Sequence, residues 1–242
     1  MGYVIFRGVG TEGSASVVGN SNVLANVFVS KMPSHKKAEM RHTEYYVKGR
    51  DGALHVDEGF SNFDLDLSVI LLNAAATTRQ LVNAWADGTG KLITSDDLAR
   101  CYRASVKEEI QWTRVAANSG YYDTAQITFT CEPCMYETNE TVQAFTSNGS
   151  LSNIGTSEAY PLIKVEGSGN VSFSIDGKTI TINGMTNGNP VFIDSENGYV
   201  YNTVSATTMV GDIPVLPMSL AIPVRLISGV SKLTITPHWR WV

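Results

Sequence analysis

Residues 63–71 alternate without a break: Phe63, Leu65, Leu67, Val69 and Leu71 take the odd positions, with Asp64, Asp66, Ser68 and Ile70 between them. Successive side chains of an extended chain point to opposite sides, so this pattern demands a β-strand with one fully apolar face. A helix would scatter the same residues around its axis. The signal repeats where Ala125, Ile127, Phe129 and Cys131 alternate with Gln126, Thr128 and Thr130. The run 102–115 joins that strand through Ala116-Ala117-Asn118-Ser119-Gly120, which reads as a hairpin loop. One helix interrupts the strands: residues 75–86 put Leu81, Val82 and Trp85 on a shared face, and Asp87-Gly88 supplies the stop.

Beyond residue 138 the chain reads as short strands separated by turn residues. Asp176-Gly177 between 171–175 and 178–182 predicts a two-residue hairpin, because this pair accepts the positive φ of a type I′ turn. Ser195-Glu196-Asn197-Gly198 predicts a second hairpin between 191–194 and 199–202, and Ser228-Gly229 a third between 224–227 and 231–236. No helical period intervenes, and such spacing indicates a β-sandwich of jelly-roll type.

Two domains follow, 1–137 and 138–242. Between 138 and 160, thirteen of twenty-three residues are Ser, Thr, Asn or Gly, a density that marks a linker or a loop-rich strand entry. Charge thins at the same place: residues 1–137 carry 13 Lys+Arg and 16 Asp+Glu, residues 138–242 only 5 and 7. The fold class is therefore mainly β, a sandwich with one packed helix followed by a jelly-roll sandwich.

A length of 242 residues with 43% hydrophobic and 17% charged residues excludes disordered and collagen-like chains. No apolar run approaches the roughly 20 residues that span a bilayer, so no membrane segment is expected. The first eight residues lack a basic region and a cleavage pattern, which predicts synthesis in a cytoplasm without a secretory signal. A net charge of -5 gives no electrostatic reason to hold nucleic acid. Three cysteines, Cys101, Cys131 and Cys134, are too few and too odd for a disulfide framework and are expected as thiols.

Motifs for chemistry are weak. Gly8-Val9-Gly10-Thr11-Glu12-Gly13 fits G-x-G-x-x-G, but a dinucleotide site needs a helix opening at the glycines, and Ser14-Ala15-Ser16-Val17-Val18-Gly19 follows, with a β-branched valine pair and a closing glycine. Cys131-Glu132-Pro133-Cys134 has metal or redox spacing without a second ligand pair, and it ends a strand rather than opening a helix. His35, His42, His55 and His238 could join it only through the tertiary fold. Asp64 and Asp66 form a D-x-D on the polar side of a strand, where a solvated face explains them. Asp96-Asp97 and Glu108-Glu109 are neighbours whose side chains diverge on a strand, which does not suit an acid/base couple. The sequons at Asn139, Asn148 and Asn170 carry no weight without a secretory signal. No catalytic, cofactor-binding or metal residue is assigned. Tyr160, Tyr199, Tyr201, Trp239 and Trp241 could build a sugar platform, but a sandwich core is the better reading, since Tyr199 and Tyr201 share a face at strand period.

The order and spacing of several short segments resemble the distal tail protein (Dit) family of long-tailed, non-contractile bacteriophages. In the first domain these are Gly49-Arg50-Asp51-Gly52 ahead of the 63–71 strand, the helix with Arg79 and Leu81, Gly90-Lys91-Leu92-Ile93, Tyr102-Arg103-Ala104 and the segment 125–133. In the second they are the segment 160–169, Ile193-Asp194-Ser195-Glu196, and the ending Ile235-Thr236-Pro237-His238-Trp239-Arg240. One departure is Cys134-Met135-Tyr136, where an aromatic-rich close of the first domain is usual.

The resemblance implies a structural virion protein of the tail tip. Its first domain would be a tail-tube-like sandwich in a homo-hexameric ring; its second, a galectin-like sandwich that carries adhesion proteins. The implied partners are the tail tube protein, the tail-associated tip hub protein and receptor-binding proteins, with DNA passing through the channel unbound. Within such a ring, residues 30–44 are the candidate arm for a neighbouring subunit, because Lys31, Lys36, Lys37 and Arg41 stand with His35 and His42 against Glu39 and Glu44. A carbohydrate-binding module, and a hydrolase or redox enzyme without a recognisable motif, are the competing classes.

Overall fold

The computed structural model of the protein describes residues 4–8, 16–18, 27–72, 76–118, 120–202 and 208–242. Two units emerge, Met1–Thr138 and Asn139–Trp241. The strands of the first are β1 (Val4–Gly8), β2 (Ser16–Val18), β3 (Val27–Lys31), β4 (Met40–Tyr45), β5 (Leu54–Phe60), β6 (Phe63–Leu72), β7 (Gly88–Thr94), β8 (Asp97–Val106), β9 (Thr113–Ala117) and β10 (Gly120–Glu137). Helix α1 (Ala76–Trp85) lies between β6 and β7. Hydrogen bonding orders the strands β2-β1-β7-β8-β10-β6-β3, with β9 also on β10, while β4 and β5 form a separate two-stranded sheet.

The alternating run is β6, and its pattern decides the packing. Leu65, Leu67, Val69 and Leu71 are fully buried, and Leu67 stands opposite Ile127 and Leu65 opposite Phe129 on the antiparallel β10. Val82, Trp85 and Ala86 of the helix segment join this core, and the Trp85 ring meets Phe129 and Phe6 edge-on at 6.0 Å each. Each such buried side chain contributes about 1.5–3 kcal/mol. Leu81 does not share that face: it is 57% exposed. One residue along a helix is a rotation of about 100°, so the covered positions follow the i, i+3, i+4 spacing of 82, 85 and 86.

Two strand expectations change. The run 102–115 is not one strand, since β8 ends at Val106 and β9 starts at Thr113, with Glu108 and Glu109 exposed in between. The hairpin is also tighter than five residues, because Ala117 already pairs with Gly120. Nor does Cys131-Glu132-Pro133-Cys134 end its strand: β10 continues to Glu137, and the register against β8 shifts between Cys131 and Met135. A proline lacks the N–H a regular ladder needs, and an irregularity accommodates Pro133.

One buried charge braces this unit. Asp123 on β10 is enclosed, and the Arg114 guanidinium on β9 donates to both its carboxylate oxygens at 2.8 and 3.2 Å. Arg79 of α1 approaches the same group at 3.7 Å. Arg114's hydrogen bond holds the Asp123 carboxyl below its ordinary range against the upward push of burial.

The second unit comprises β11 (Gln143–Phe145), β12 (Gly149–Leu151), β13 (Leu162–Ile175), β14 (Lys178–Met185), β15 (Val191–Asp194), β16 (Tyr199–Asn202), β17 (Met209–Val210), β18 (Ile222–Thr236) and β19 (Arg240–Trp241). Its sheet runs β11-β18-β13-β14-β17, with β12 on β18 and with β15 between β13 and β16. The Asp176-Gly177 turn forms as the sequence predicts, with φ of 51° and 75° and Ile175 opposite Lys178. The four-residue turn also forms, Asp194 opposite Tyr199, and Asp194 closes it by accepting the Asn197 N–H at 3.0 Å and the Asn197 side-chain amide at 2.9 Å.

The third hairpin does not exist. Residues 224–236 belong to one strand, β18, both halves of which pair with β13. Ser228-Gly229 bends the strand instead of reversing it: Gly229 has φ of 65°, and three register shifts fall in this stretch of the ladder. The partner strand bends at Gly167, where a Cβ would meet the Gly229 carbonyl oxygen at 2.2 Å. Curling the long β13–β18 ladder lets one sheet enclose its own core of Ile163, Val165, Phe173, Ile180, Ile193, Leu233 and Ile235. The result is a mainly β protein of two sandwich-like units with one α-helix among the described residues.

Candidate functional site

The β4–β5 hairpin is set apart from everything around it. A ribbon packed on a core would alternate in burial, yet eleven of its thirteen strand positions are exposed and none is buried. Its tip is the Gly49-Arg50-Asp51-Gly52 segment, with φ of 86° at Gly49 and 76° at Gly52, a left-handed backbone that glycine adopts without strain. Thr43 faces Val56 and Tyr45 faces Leu54 across the ladder. Tyr45, Leu54 and Val56, exposed by 54%, 39% and 49%, thus make one side apolar. The other side carries His42 opposite Asp57 and Glu44 opposite His55. A two-stranded ribbon is marginal alone in water, so these side chains fit contacts outside their own unit.

The predicted arm, residues 30–44, turns out to be two structures. Lys31 ends β3 and Arg41 lies within β4, while residues 32–39 run without regular structure between them. That middle stretch is tied down. Ala38 is buried, Met32 packs against the core, and His35 Nε2 meets Asp96 Oδ2 at 2.6 Å. Lys36 Nζ donates to the Asp64 carbonyl at 3.0 Å and Arg41 Nη2 to the Glu58 carbonyl at 3.0 Å. Lys31, Lys36, Lys37 and Arg41 are all exposed. Carbonyl hydrogen bonds leave the positive charge of Lys36 and Arg41 available to a neighbour. The sequence reading missed β5, although Leu54-His55-Val56-Asp57 alternates and follows a glycine-flanked turn.

The remaining sequence candidates separate by geometry. Cys131 joins the core beneath α1, whereas Cys134 packs with Cys101, Ile93 and Tyr136 in a different cluster, so the C-x-x-C pair does not share a site. Burial pushes the Cys131 thiol up to about 12, with the Asp64 charge adding to it, so the group is held as the protonated thiol near neutrality. Asp64 and Asp66 accept hydrogen bonds from the Thr130 and Thr128 hydroxyls, each at 2.9 Å, on an exposed sheet face. Asp97 caps its own turn, accepting from the Ala99 and Arg100 N–H groups at 3.1 and 3.2 Å. Gly8 closes β1 and residues 9–15 lie outside the described residues, but strand β2 begins at Ser16, where a pyrophosphate site needs a helix.

In the second unit the aromatic residues divide. Trp239 is buried and Trp241 packs against the same core. Tyr199 and Tyr201 do share a face, but it is the outer one, because Val191 and Ile193 of the paired β15 take the inner side. Tyr201 stacks on Phe192 at 5.2 Å and lies 5.4 Å from Tyr199, which is 50% exposed. Pro237, Trp239 and Arg240 belong to the closing segment. It is pinned by His238 Nδ1 against the Tyr160 carbonyl at 3.1 Å, by the Arg240 guanidinium 4.9 Å above the Tyr160 ring, and by the Thr156 N–H donating to the Arg240 carbonyl at 2.9 Å.

The chain shares the fold of the Dit protein of phage SPP1, which is described as a paradigm of the hub adsorption apparatus in phages infecting Gram-positive hosts. The two match over 100% of each chain with a TM-score of 0.72 and 13% sequence identity. The phage P2 baseplate in its activated conformation is also similar: the calcium form matches at TM-score 0.49 and the strontium form at 0.47, each with 9% identity over 97% of both chains. No protein-family model matches the chain. No curated protein matches it.

Proposed function

We propose that this chain is the distal tail hub subunit of a long, non-contractile phage tail. Six copies close into a ring at the end of the tail tube, join the tube protein to the tip hub protein, and carry receptor-binding proteins on the second unit. The observation that carries this reading is the correspondence with SPP1 Dit along the whole of both chains. The exposed β4–β5 ribbon supports it, since a subunit of a closed ring needs a surface that its own unit leaves uncovered. A net charge of -5 suits a channel through which DNA moves without sticking. The reading gives the protein no catalytic role and no cofactor, and it places it in the virion after assembly in the host cytoplasm.

Reconstruction of tail tips by electron microscopy tests the reading. This chain is expected as a six-fold ring at the distal end of the tube. Density that puts it elsewhere, or a tail that lacks it, overturns the proposal.

One observation favours a second reading, in which the outer face of the second unit binds carbohydrate. Phe192, Tyr201 and Tyr199 form a continuous outward aromatic surface, the kind of flat apolar platform on which a sugar ring stacks. Glycan titration followed by amide spectra of the full chain would move residues 191–202 if this is correct, and Tyr199→Ala would abolish the shifts.

A further inference from the structure

We propose that His42, Glu44 and His55 form a binding site for a divalent transition-metal ion of the zinc class on the β4–β5 ribbon. The strand period and the ladder assemble it. His42 and Glu44 lie two residues apart on β4 and therefore on one side, and His55 of β5 stands directly opposite Glu44. Glu44 Oε1 is 3.5 Å from His55 Nδ1 and 3.9 Å from His42 Nε2, and one ligand atom from each residue lies within 4.8 Å of the other two. Ligand atoms around a tetrahedral zinc ion are about 3.3–3.6 Å apart, given metal–ligand bonds of about 2.0–2.2 Å. The carboxylate oxygen is thus close to the required spacing from both imidazoles, and rotation of two exposed rings closes the rest.

The chemistry of the donor set selects the ion. Two imidazoles and one carboxylate suit zinc, cobalt or nickel, whereas calcium and magnesium take oxygen ligands. Both imidazoles converge on the one Glu44 oxygen, with their rings 5.7 Å apart and edge to face, so three donors point into one small space rather than forming a single cross-strand pair. The carboxylate is also oriented: the Tyr46 hydroxyl donates to Glu44 Oε2 at 2.8 Å, leaving Oε1 for the imidazoles. Such outer partners fix the direction of a ligand and are characteristic of metal sites. Asp57 stands opposite His42 in the ladder, a fourth ligand-bearing position on the same side of the ribbon. Three protein ligands leave a coordination position open to water or to an incoming group. A bound ion would tie β4 to β5 at the middle of a ribbon that has no core to hold it. The inference stands on this geometry alone and does not depend on the hub reading.

The test uses full-length protein without a polyhistidine tag. Calorimetric titration with Zn2+ should give one site per chain, and Co2+ should give the visible absorption of a low-coordinate site. His42→Ala/His55→Ala should weaken Zn2+ binding by more than about 100-fold, and Tyr46→Phe by about 10-fold through the lost orientation of Glu44. Because these side chains are exposed, the melting temperature of the metal-free variants should stay at the wild-type value, and Zn2+ should slow amide exchange of residues 40–60 in wild type only. Absence of Zn2+ binding, or equal binding by wild type and the double variant, overturns the proposal.

Discussion

Two hairpins in this protein are built from similar lengths of chain and reach opposite ends. In β13–β14, Val171, Phe173, Ile175, Ile180 and Ile182 are buried to 1% exposure or less, and the Asp176-Gly177 turn serves only to bring them together. In β4–β5 the apolar residues Tyr45, Leu54 and Val56 remain open to solvent, and the polar side gathers two histidines and a glutamate instead of scattered solubilising groups. The first hairpin spends its sequence on its own core. The second carries a composition that its own unit does not use.

Substitution separates the two cases most sharply in the core. Phe173→Ala should destabilise the second unit by about 3–5 kcal/mol, the usual loss for an aromatic side chain and the cavity it leaves. Urea unfolding followed by tryptophan fluorescence, with Trp239 in the same core as reporter, measures it. A loss under about 1 kcal/mol would mean that β13–β14 is no better anchored than β4–β5. Gly167→Ala comes next, at about 2–3 kcal/mol, because the added carbon would sit against the Gly229 carbonyl and must unbend the β13–β18 ladder. A hydrogen-exchange profile localises that damage to residues 162–175 and 222–236.

Asp123 supplies a pH-dependent contrast, since its carboxyl is buried in the first unit while the acidic groups of the ribbon are solvated. Arg114's hydrogen bond lowers its folded value. A carboxyl depressed in this way adds stability above its unfolded value of about 4 and loses that contribution as pH falls through the lower folded value. The stability gap between wild type and Asp123→Asn should therefore be widest near neutrality and shrink in acid. Thermal melts of both proteins at pH 7 and at pH 3 check this, and a gap that stays constant would remove Asp123 as the source.

Where the sequence reading succeeded and where it failed follows from what local chemistry determines. Alternation at 63–71 and the positive-φ preference of Asp-Gly are properties of a few adjacent residues, and β6 and the 176–177 turn form as they require. Ser228-Gly229 carries the same turn chemistry, yet it bends a strand, because both flanking runs find their partner in one long β13 rather than in each other. Tyr199 and Tyr201 share a face as their spacing demands, but which face is inner depends on Val191 and Ile193 of the neighbouring strand. The candidate metal site is the extreme case: His55 and Glu44 meet only through the β4–β5 register, and neither residue alone carries a motif.

The smallest expected effect on stability belongs to the ribbon, and it is the one that bears most on function. Tyr45→Ser/Val56→Ser changes only exposed positions, so the melting temperature of the isolated chain should shift by no more than an effect of about 0.5 kcal/mol produces. If the apolar side of β4–β5 seats against a neighbouring subunit, the same variant should fail to enter a ring, as read by native mass on tails or reconstituted tips. The basic residues offer an independent grip, and Lys36→Glu/Lys37→Glu/Arg41→Glu probes it. Lys36 and Arg41 bind backbone carbonyls of their own unit, so charge reversal there should cost little more than two exposed hydrogen bonds, about 1 kcal/mol each at most. Loss of assembly in the serine variant alone assigns the contact to the apolar side; loss in the glutamate variant alone assigns it to charge on the segment that leads into β4. Normal assembly in both would mean that the ribbon, for all its exposure, faces something other than a second copy of this chain.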